Sequence, residues 1–161
     1  MSASALHFHT DRLHHPQVVE MLTQHLADMY RVSPPESVHA LDLSALDQPS
    51  ILFWSAWTVD AQGQEHLVGT CALKALDSSH AELKSMHIAP AQHGNGSAQR
   101  LWEHVHAQAR ARHVQRISLE TGTQDFFAPA RSFYARNGFA PCGPFSGYRL
   151  DPHSCFMTRV L

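Results

Sequence analysis

A glycine-containing turn in the middle of the chain has the residue types that can hold phosphate. It spans residues 93–98 and reads His-Gly-Asn-Gly-Ser-Ala. Residues 82–88 predict a strand that Pro90 ends, and apolar residues after the turn recur at three- and four-residue spacing, which predicts an amphipathic helix. Glycines permit positive φ angles, and the free N–H groups of a helix start favour an anion. The pattern indicates either a phosphate-binding loop or an ordinary strand-to-helix turn.

Two better-known phosphate motifs are excluded by the same residues. A P-loop requires Gly-Lys-Ser or Gly-Lys-Thr, and the chain has no such tripeptide. A dinucleotide fingerprint requires a glycine at the position of Gln99. The glycines alone therefore do not identify a ligand.

Residues 86–102, MHIAPAQHGNGSAQRLW, resemble the acetyl-CoA signature of the GNAT superfamily of N-acetyltransferases, Q/R-x-x-G-x-G/A. Residues 132–139, SFYARNGF, resemble the second signature of that family, a tyrosine four residues before Gly-Phe. Two motifs in this order are more specific than either alone. The resemblance covers residues 51–161 well and the N-terminal third in outline. The first signature position is His93 instead of the common Arg or Gln, which weakens one side-chain contact to a pyrophosphate.

The resemblance implies acetyl-CoA as co-substrate. In the family, backbone N–H groups of the glycine loop contact the pyrophosphate, and the strand before the loop pairs with the pantetheine arm. Carried over to this sequence, the binding residues are Met86, His87, Ile88, His93, Gly94, Asn95, Gly96, Ser97, Ala98 and Tyr134.

Acyl transfer from a thioester to an amine requires a proton acceptor, a stabilised carbonyl oxygen and a proton for the leaving thiolate. Tyr134 is the candidate acid, since a phenol of pKa about 10 can protonate a thiolate without being ionised beforehand. The alternative is a core tyrosine beside Phe133. Glu82 and Glu120 are candidate bases, which would accept the proton directly or through water. Each could equally be a solvated strand residue, with a water chain in place of a single base. A backbone N–H near His87 could stabilise the oxyanion.

The elements that must position these residues predict an α+β fold. Strands are predicted at residues 6–10, 51–59, 67–76, 82–88, 116–121 and 154–160. Helices are predicted at 16–30, 36–43, after Ser97 and at 129–137, where Gly138 ends the last helix. Residues 33–36, Ser-Pro-Pro-Glu, have the form of a capping box before the second helix. Residues 142–152 are predicted to form a loop rich in glycine and proline. The family resemblance implies a mixed, mostly antiparallel seven-strand sheet flanked by about four helices. It also implies a splayed parallel pair formed by the Met86 and Leu119 strands.

Composition favours one domain over residues 1–161 and excludes several classes of protein. With 43% apolar residues the chain can bury a core, and a net charge of −2 does not favour nucleic acid. The sequence has neither a long apolar run nor a targeting signal, so no membrane partner is expected. Three widely spaced cysteines predict a cytoplasmic protein. The expected partner is a small-molecule or peptide amine, and the chain is expected to be a monomer or homodimer.

The fourteen histidines do not predict a metal site. The close pairs, at residues 14–15 and 104/106, lack the i,i+4 spacing of helical ligands, and HExxH is absent. We therefore expect no metal.

Two functions follow from these patterns. The first is an acetyl-CoA-dependent N-acetyltransferase that moves an acetyl group directly to a primary amine. The second is a non-catalytic acyl-CoA-binding or sensor module with the same fold. Tyr134 at its signature position favours the enzyme, and His93 gives the sensor some weight.

Overall fold

The computed structural model describes residues 4–161, and in this range it forms a seven-stranded mixed sheet with four α-helices. The strands are β1 His7–His9, β2 Ile51–Val59, β3 Glu65–Ala75, β4 His80–Ile88, β5 Arg116–Gly122, β6 Ala140–Cys142 and β7 Ser154–Val160. The helices are α1 Pro16–Val32, α2 Leu43–Leu46, α3 Ser97–Ala111 and α4 Ala128–Arg136. The strand order is β1-β2-β3-β4-β5-β7-β6, and within the described range only β4 and β5 pair in parallel. The predicted fold class is confirmed.

Two hydrophobic clusters cover the sheet. In the first, the predicted apolar stripe of α3 packs on the strands through Leu101, Trp102 and Val105, all buried. In the second, Val18 and Leu22 bury one face of α1. Because apolar residues three and four apart share one side of a helix, each helix buries that side and leaves its polar residues in solvent. None of the helices in residues 4–161 is long and apolar enough to cross a membrane.

The helix predicted for residues 36–43 is wrong. A 3₁₀ turn covers Pro35–Ser37, and the chain is not helical again until α2 begins at Leu43. The cap of α2 is Asp42, whose carboxylate accepts a hydrogen bond from the Ala45 N–H at 2.8 Å. The N-cap of α2 therefore lies nearly two helical turns beyond Glu36, the last residue of the predicted capping box.

Ser33 of the predicted capping box instead ends α1 as its C-cap, with its N–H donated to the Met29 carbonyl. Its hydroxyl accepts a hydrogen bond from Gln124 Nε2 at 3.1 Å, and the same nitrogen donates to the Val32 carbonyl at 3.1 Å. Gln124 lies in the turn between β5 and α4. Arg131 of α4 holds that turn by donating to the Gly122 and Gln124 carbonyls at 2.7 and 3.0 Å. A contact between residues so distant in sequence leaves no local pattern.

The seventh strand ends on Cys142, the first residue of the predicted loop. β6 spans Ala140–Cys142 and pairs only with β7 among the described strands, so it forms one edge of the sheet. Pro141 has no N–H to donate, and proline in a sheet is confined largely to such edges. A three-residue strand that contains proline is too short and irregular for its pattern to be recognised from sequence.

The parallel pair separates soon after it begins, as predicted. His80–Glu82 pair with Arg116–Ser118, and the pairing between the two strands stops there. Beyond this point β4 contains a bulge, in which Ser85 has a φ of 53° and its carbonyl accepts a hydrogen bond from Thr70 Oγ1 at 2.8 Å. A bulge bends the strand that contains it, so the two carboxyl ends diverge.

We expect Gly69→Ala to destabilise the protein by about 1–3 kcal/mol, the usual cost of overpacking. A Cβ at Gly69 of β3 would lie 2.6 Å from both the His87 carbonyl oxygen and Ile88 Cδ1, so β4 would have to shift. Urea denaturation measures the effect. Gly143→Ala is the control, because a Cβ there meets nothing within 4 Å. Equal stability of the two variants would contradict the predicted close contact.

Candidate active site

The glycine turn has the backbone conformation that its sequence predicts. Gly94 and Gly96 have φ angles of 77° and 81°, and Gly96 is the N-cap of α3 with no side-chain cap. A Cβ at either glycine would meet no atom within 4 Å, so both face open space. The start of a 15-residue helix is therefore accessible, and its N–H groups and dipole favour an anion.

Side chains around the turn hold it in place. Asn95 Oδ1 accepts hydrogen bonds from the Ser97 N–H at 3.1 Å and the Ser97 hydroxyl at 2.5 Å, and Asn95 Nδ2 donates to Gln92 Oε1 at 2.9 Å. The His93 ring hydrogen-bonds to the Ile88 carbonyl through Nε2 at 2.9 Å. His93 thus connects the turn to the end of β4.

One cavity of about 720 Å³ connects the glycine turn with the gap between β4 and β5. Ten of the twelve predicted site residues line it: Met86, His87, Ile88, His93, Gly94, Gly96, Ser97, Ala98, Glu120 and Tyr134. The other two, Asn95 and Glu82, lie outside the lining. Asn95 supports the turn from behind, through the hydrogen bonds given above.

Tyr134 lies on the cavity wall formed by α4. The residue is 8% exposed, and its ring makes edge contacts with Phe133 and Phe139, each with ring centroids 5.6 Å apart. Burial raises the pKa of the phenol, so the hydroxyl keeps its proton at neutral pH. Within residues 4–161 the hydroxyl has no hydrogen-bond partner, so its proton is available to a ligand in the cavity.

Glu120 is a partly buried carboxylate on β5 that faces the cavity. Burial raises its pKa to about 7, while the nearby Lys84 ammonium acts in the opposite direction. A carboxylate with a pKa near neutrality is half protonated at physiological pH. A general base works best when its pKa lies near the working pH, and Glu120 meets this condition.

Glu82 lies behind the cavity wall and is 3% exposed. Its Oε2 is 3.0 Å from Lys84 Nζ and accepts a hydrogen bond from the Tyr148 hydroxyl, and Lys84 Nζ also lies 3.0 Å from the Tyr148 oxygen. Sequence reasoning missed Lys84 and Tyr148. The period-two spacing of Glu82 and Lys84 on one strand indicates that they share a face, whereas nothing local places Tyr148 of the β6–β7 loop beside them.

Histidines from two different elements form part of the cavity wall. The rings of His25 on α1 and His87 on β4 have centroids 4.9 Å apart. Burial, and then the neighbouring His87, lower the pKa of His25 to about 4, and burial lowers the pKa of His87 as well. Both rings are therefore neutral at pH 7. Within residues 4–161 no group of three or more His, Cys, Asp or Glu side chains is arranged to hold a metal ion.

A splayed parallel pair, a glycine turn at a helix start and a tyrosine at the gap define a GNAT-type acetyltransferase fold. The model of the Acetyltransferase (GNAT) family matches residues 19–139. The chain is 46% identical to the protein named Uncharacterized N-acetyltransferase YedL of Escherichia coli (strain K12), over 94% of this chain and 92% of that protein. It is 44% identical to Uncharacterized N-acetyltransferase YsnE of Bacillus subtilis (strain 168), over 97% and 100%. The chain therefore belongs to the GNAT family of acetyltransferases, and it is an acyltransferase.

A solved structure agrees with this fold. The PaiA N-acetyltransferase of Thermoplasma acidophilum in complex with coenzyme A is similar with a TM-score of 0.68 at 15% identity. The similarity covers 98% of this chain and 99% of that protein.

We expect Glu120→Gln to raise the free energy of unfolding, relative to the parent protein, more at pH 8 than at pH 5. Because burial raises the Glu120 pKa from 4.5 to about 7, the folded state binds this proton more tightly than the unfolded state. The parent therefore loses unfolding free energy as the pH rises from about 4.5 to 7, by up to about 3 kcal/mol. Glutamine does not titrate and avoids this loss. Thermal unfolding of both proteins across this range measures the difference.

The control for this measurement is Glu65→Gln. The Arg12 guanidinium, 3.0 Å away, holds the Glu65 pKa below its usual range. The ionised Glu65 therefore stabilises the folded state, and this stabilisation is lost as the pH falls, which is the opposite of Glu120. If the stability gain of Glu120→Gln were the same at pH 5 and pH 8, the raised pKa of Glu120 would be wrong.

Proposed function

We propose that the protein is an acetyl-CoA-dependent N-acetyltransferase that transfers the acetyl group directly to a primary amine of a small molecule or peptide. The main support is that one cavity brings together three groups: a helix start that favours an anion, the protonated phenol of Tyr134, and the Glu120 carboxylate with its pKa of about 7. These are the groups that a donor, its leaving thiolate and the attacking amine require. We further propose that residues 1–161 form one domain.

The donor would lie in the gap between β4 and β5. The N–H groups of Gly96 and Ala98 would bind the pyrophosphate, since the Ser97 N–H is already bound to Asn95 Oδ1. The free edge of β4 at Met86–Ile88 would pair with the amide groups of the pantetheine arm. Coenzyme A bound to the same fold in the Thermoplasma acidophilum protein supports this proposal. His93 is engaged with the Ile88 carbonyl, so the proposed pyrophosphate contact depends on backbone groups.

In the proposed reaction the amine nitrogen attacks the thioester carbonyl carbon. A C–N bond forms and the C–S bond breaks. The acceptor enters as an ammonium ion and loses one proton to solvent before the attack. The second proton released from nitrogen ends on Glu120, and the Tyr134 proton ends on the thiolate sulfur, which gives the acetylated amine and the thiol of coenzyme A. Proton exchange with solvent restores both side chains. We assign the base to Glu120 because it faces the cavity, whereas Glu82 is enclosed by Lys84 and Tyr148.

Thiol release from acetyl-CoA in the presence of a panel of amines tests the proposal. Release that depends on the amine supports the enzyme. Tight acetyl-CoA binding without turnover by any amine, at several pH values, would favour the sensor alternative and overturn the proposed activity.

We expect Gly96→Leu to weaken acetyl-CoA binding by at least about tenfold, since hydrogen bonds to a charged group contribute about 1.5–3 kcal/mol each. A side chain at Gly96 would occupy the open space in front of the α3 N–H groups. Isothermal titration calorimetry measures the affinity. Gly63→Leu is the matched control, because Gly63 also has a positive φ and an open Cβ position but lies in the β2–β3 turn. Unchanged affinity in Gly96→Leu would remove the turn from the binding site.

We expect Tyr134→Phe to lower kcat by about 10²- to 10⁴-fold with acetyl-CoA affinity nearly unchanged. The substitution keeps the packing against Phe133 and Phe139 and removes the proton that the thiolate needs. Steady-state and single-turnover kinetics measure both quantities. Tyr30→Phe, at a tyrosine that is 54% exposed, is the control. If Tyr134→Phe retains the parental rate of the chemical step, Tyr134 is only a packing residue.

A further inference from the structure

The charges that line the cavity restrict the chemistry of the acceptor. Among the described residues, Lys84 and Arg136 are the only lysine and arginine in the lining. An acceptor that brought a carboxylate or phosphate into the cavity would need one of these cations, because a buried anion is stable only when it is paired.

Lys84 is already neutralised. Its Nζ lies 3.0 Å from both Glu82 Oε2 and the Tyr148 oxygen, and the side chains of Lys84 and Glu82 are 9% and 4% exposed. The pair is therefore enclosed. An acceptor anion near Lys84 would meet a charge that Glu82 already balances and an ammonium with two of its three donors directed at Glu82 and Tyr148.

Arg136 belongs to the end of the cavity that contains the glycine turn. It is the last residue of α4, and the next residue, Asn137, exchanges two side-chain hydrogen bonds with Gln99 of α3 at 2.9 and 3.0 Å. Gln99 lies three residues after Gly96. The charge of Arg136 is thus placed beside the proposed phosphate site.

The wall around Glu120 and α1 contains carboxylates and neutral rings. Asp28 of α1 lines the cavity together with Glu120. The only guanidinium close to Asp28 in the described chain is Arg31, 3.6 Å away with a 63% exposed side chain. Burial lowers the pKa of His25 and His39, which leaves these two rings uncharged at pH 7. His153 also lines the cavity. Among the described residues this wall contains no lysine or arginine other than the paired Lys84, so it favours a cation over an anion.

We infer that the acetyl acceptor is an amine that brings no carboxylate or phosphate group into the cavity. The inference rests on the proposed function. It narrows the acceptor to alkylamines, aralkylamines or diamines and excludes free amino acids and amino sugar phosphates. The positive ammonium group is attracted by Glu120 and Asp28, whereas a carboxylate on the same molecule would meet them without a counter-charge.

Matched pairs that differ by one carboxylate test the inference: tyramine and tyrosine, putrescine and ornithine, agmatine and arginine. Thiol release gives kcat/KM for each compound, and calorimetry on the protein saturated with coenzyme A gives its affinity. In each pair we expect the amine without the carboxylate to be better by at least about tenfold in both quantities. Equal or better use of the amino acids would overturn the inference while leaving the acetyltransferase activity intact.

The affinities decide the inference even without turnover. If no compound is acetylated but the decarboxylated members bind better, the proposed function fails and the inferred selectivity stands. If no member of any pair binds, the inference is wrong.

Glu82→Gln separates this explanation from simple size selection. Removing the Glu82 charge frees the Lys84 ammonium at the cavity wall, so we expect the amine-to-amino-acid ratio of kcat/KM to fall by about tenfold. Any effect of the substitution on the chemical step cancels in this ratio. Glu65→Gln, which breaks the ion pair with Arg12 elsewhere on the sheet, is the control and is expected to leave the ratio unchanged. An unchanged ratio in Glu82→Gln would show that charge does not select the acceptor.

Discussion

Parallel pairing between β4 and β5 covers only His80–Glu82 and Arg116–Ser118, and the bulge at Ser85 then directs β4 away from its neighbour. The cavity exists because of this separation. In a continuous sheet the backbone groups beyond Glu82 would be paired with β5, and no ligand could reach them. The Thr70 hydroxyl stabilises the bulge from the adjacent strand by donating to the Ser85 carbonyl. A local interruption of the sheet thus creates both the space and the free hydrogen-bonding groups.

The two glutamates of the separating strands show how position decides electrostatics. Glu82 lies before the strands part, is enclosed, and has both Lys84 and Tyr148 as hydrogen-bond donors. Glu120 lies just after the strands part and faces the cavity, where burial without a bonded cation raises its pKa to about 7. A shift of two residues along the sheet therefore separates a structural carboxylate from one that can exchange protons near neutral pH.

The sequence was most informative where a feature is local. The glycine turn, the apolar stripe of α3 and the Gly138 helix stop, which has a φ of 86°, depend on neighbouring residues, and each was predictable. The splayed pair and the position of Tyr134 came from the family resemblance. The missed features depend on distant residues: Ser33 is bound by Gln124, and Tyr148 reaches Glu82 across 66 positions. A local pattern contains no information about such contacts. The sequence therefore predicted a helix at residues 36–43 that does not form, and it did not predict the Lys84 network.

The Gln124 side chain connects two parts of the molecule that face the cavity from different sides. Its amide nitrogen donates to the end of α1, at the Val32 carbonyl and the Ser33 hydroxyl. Arg131 fastens the same turn to α4, the helix that contains Tyr134. The two helices are thus mechanically coupled through one short turn. A displacement of α1 would therefore be passed through these hydrogen bonds to α4, the helix that contains Tyr134.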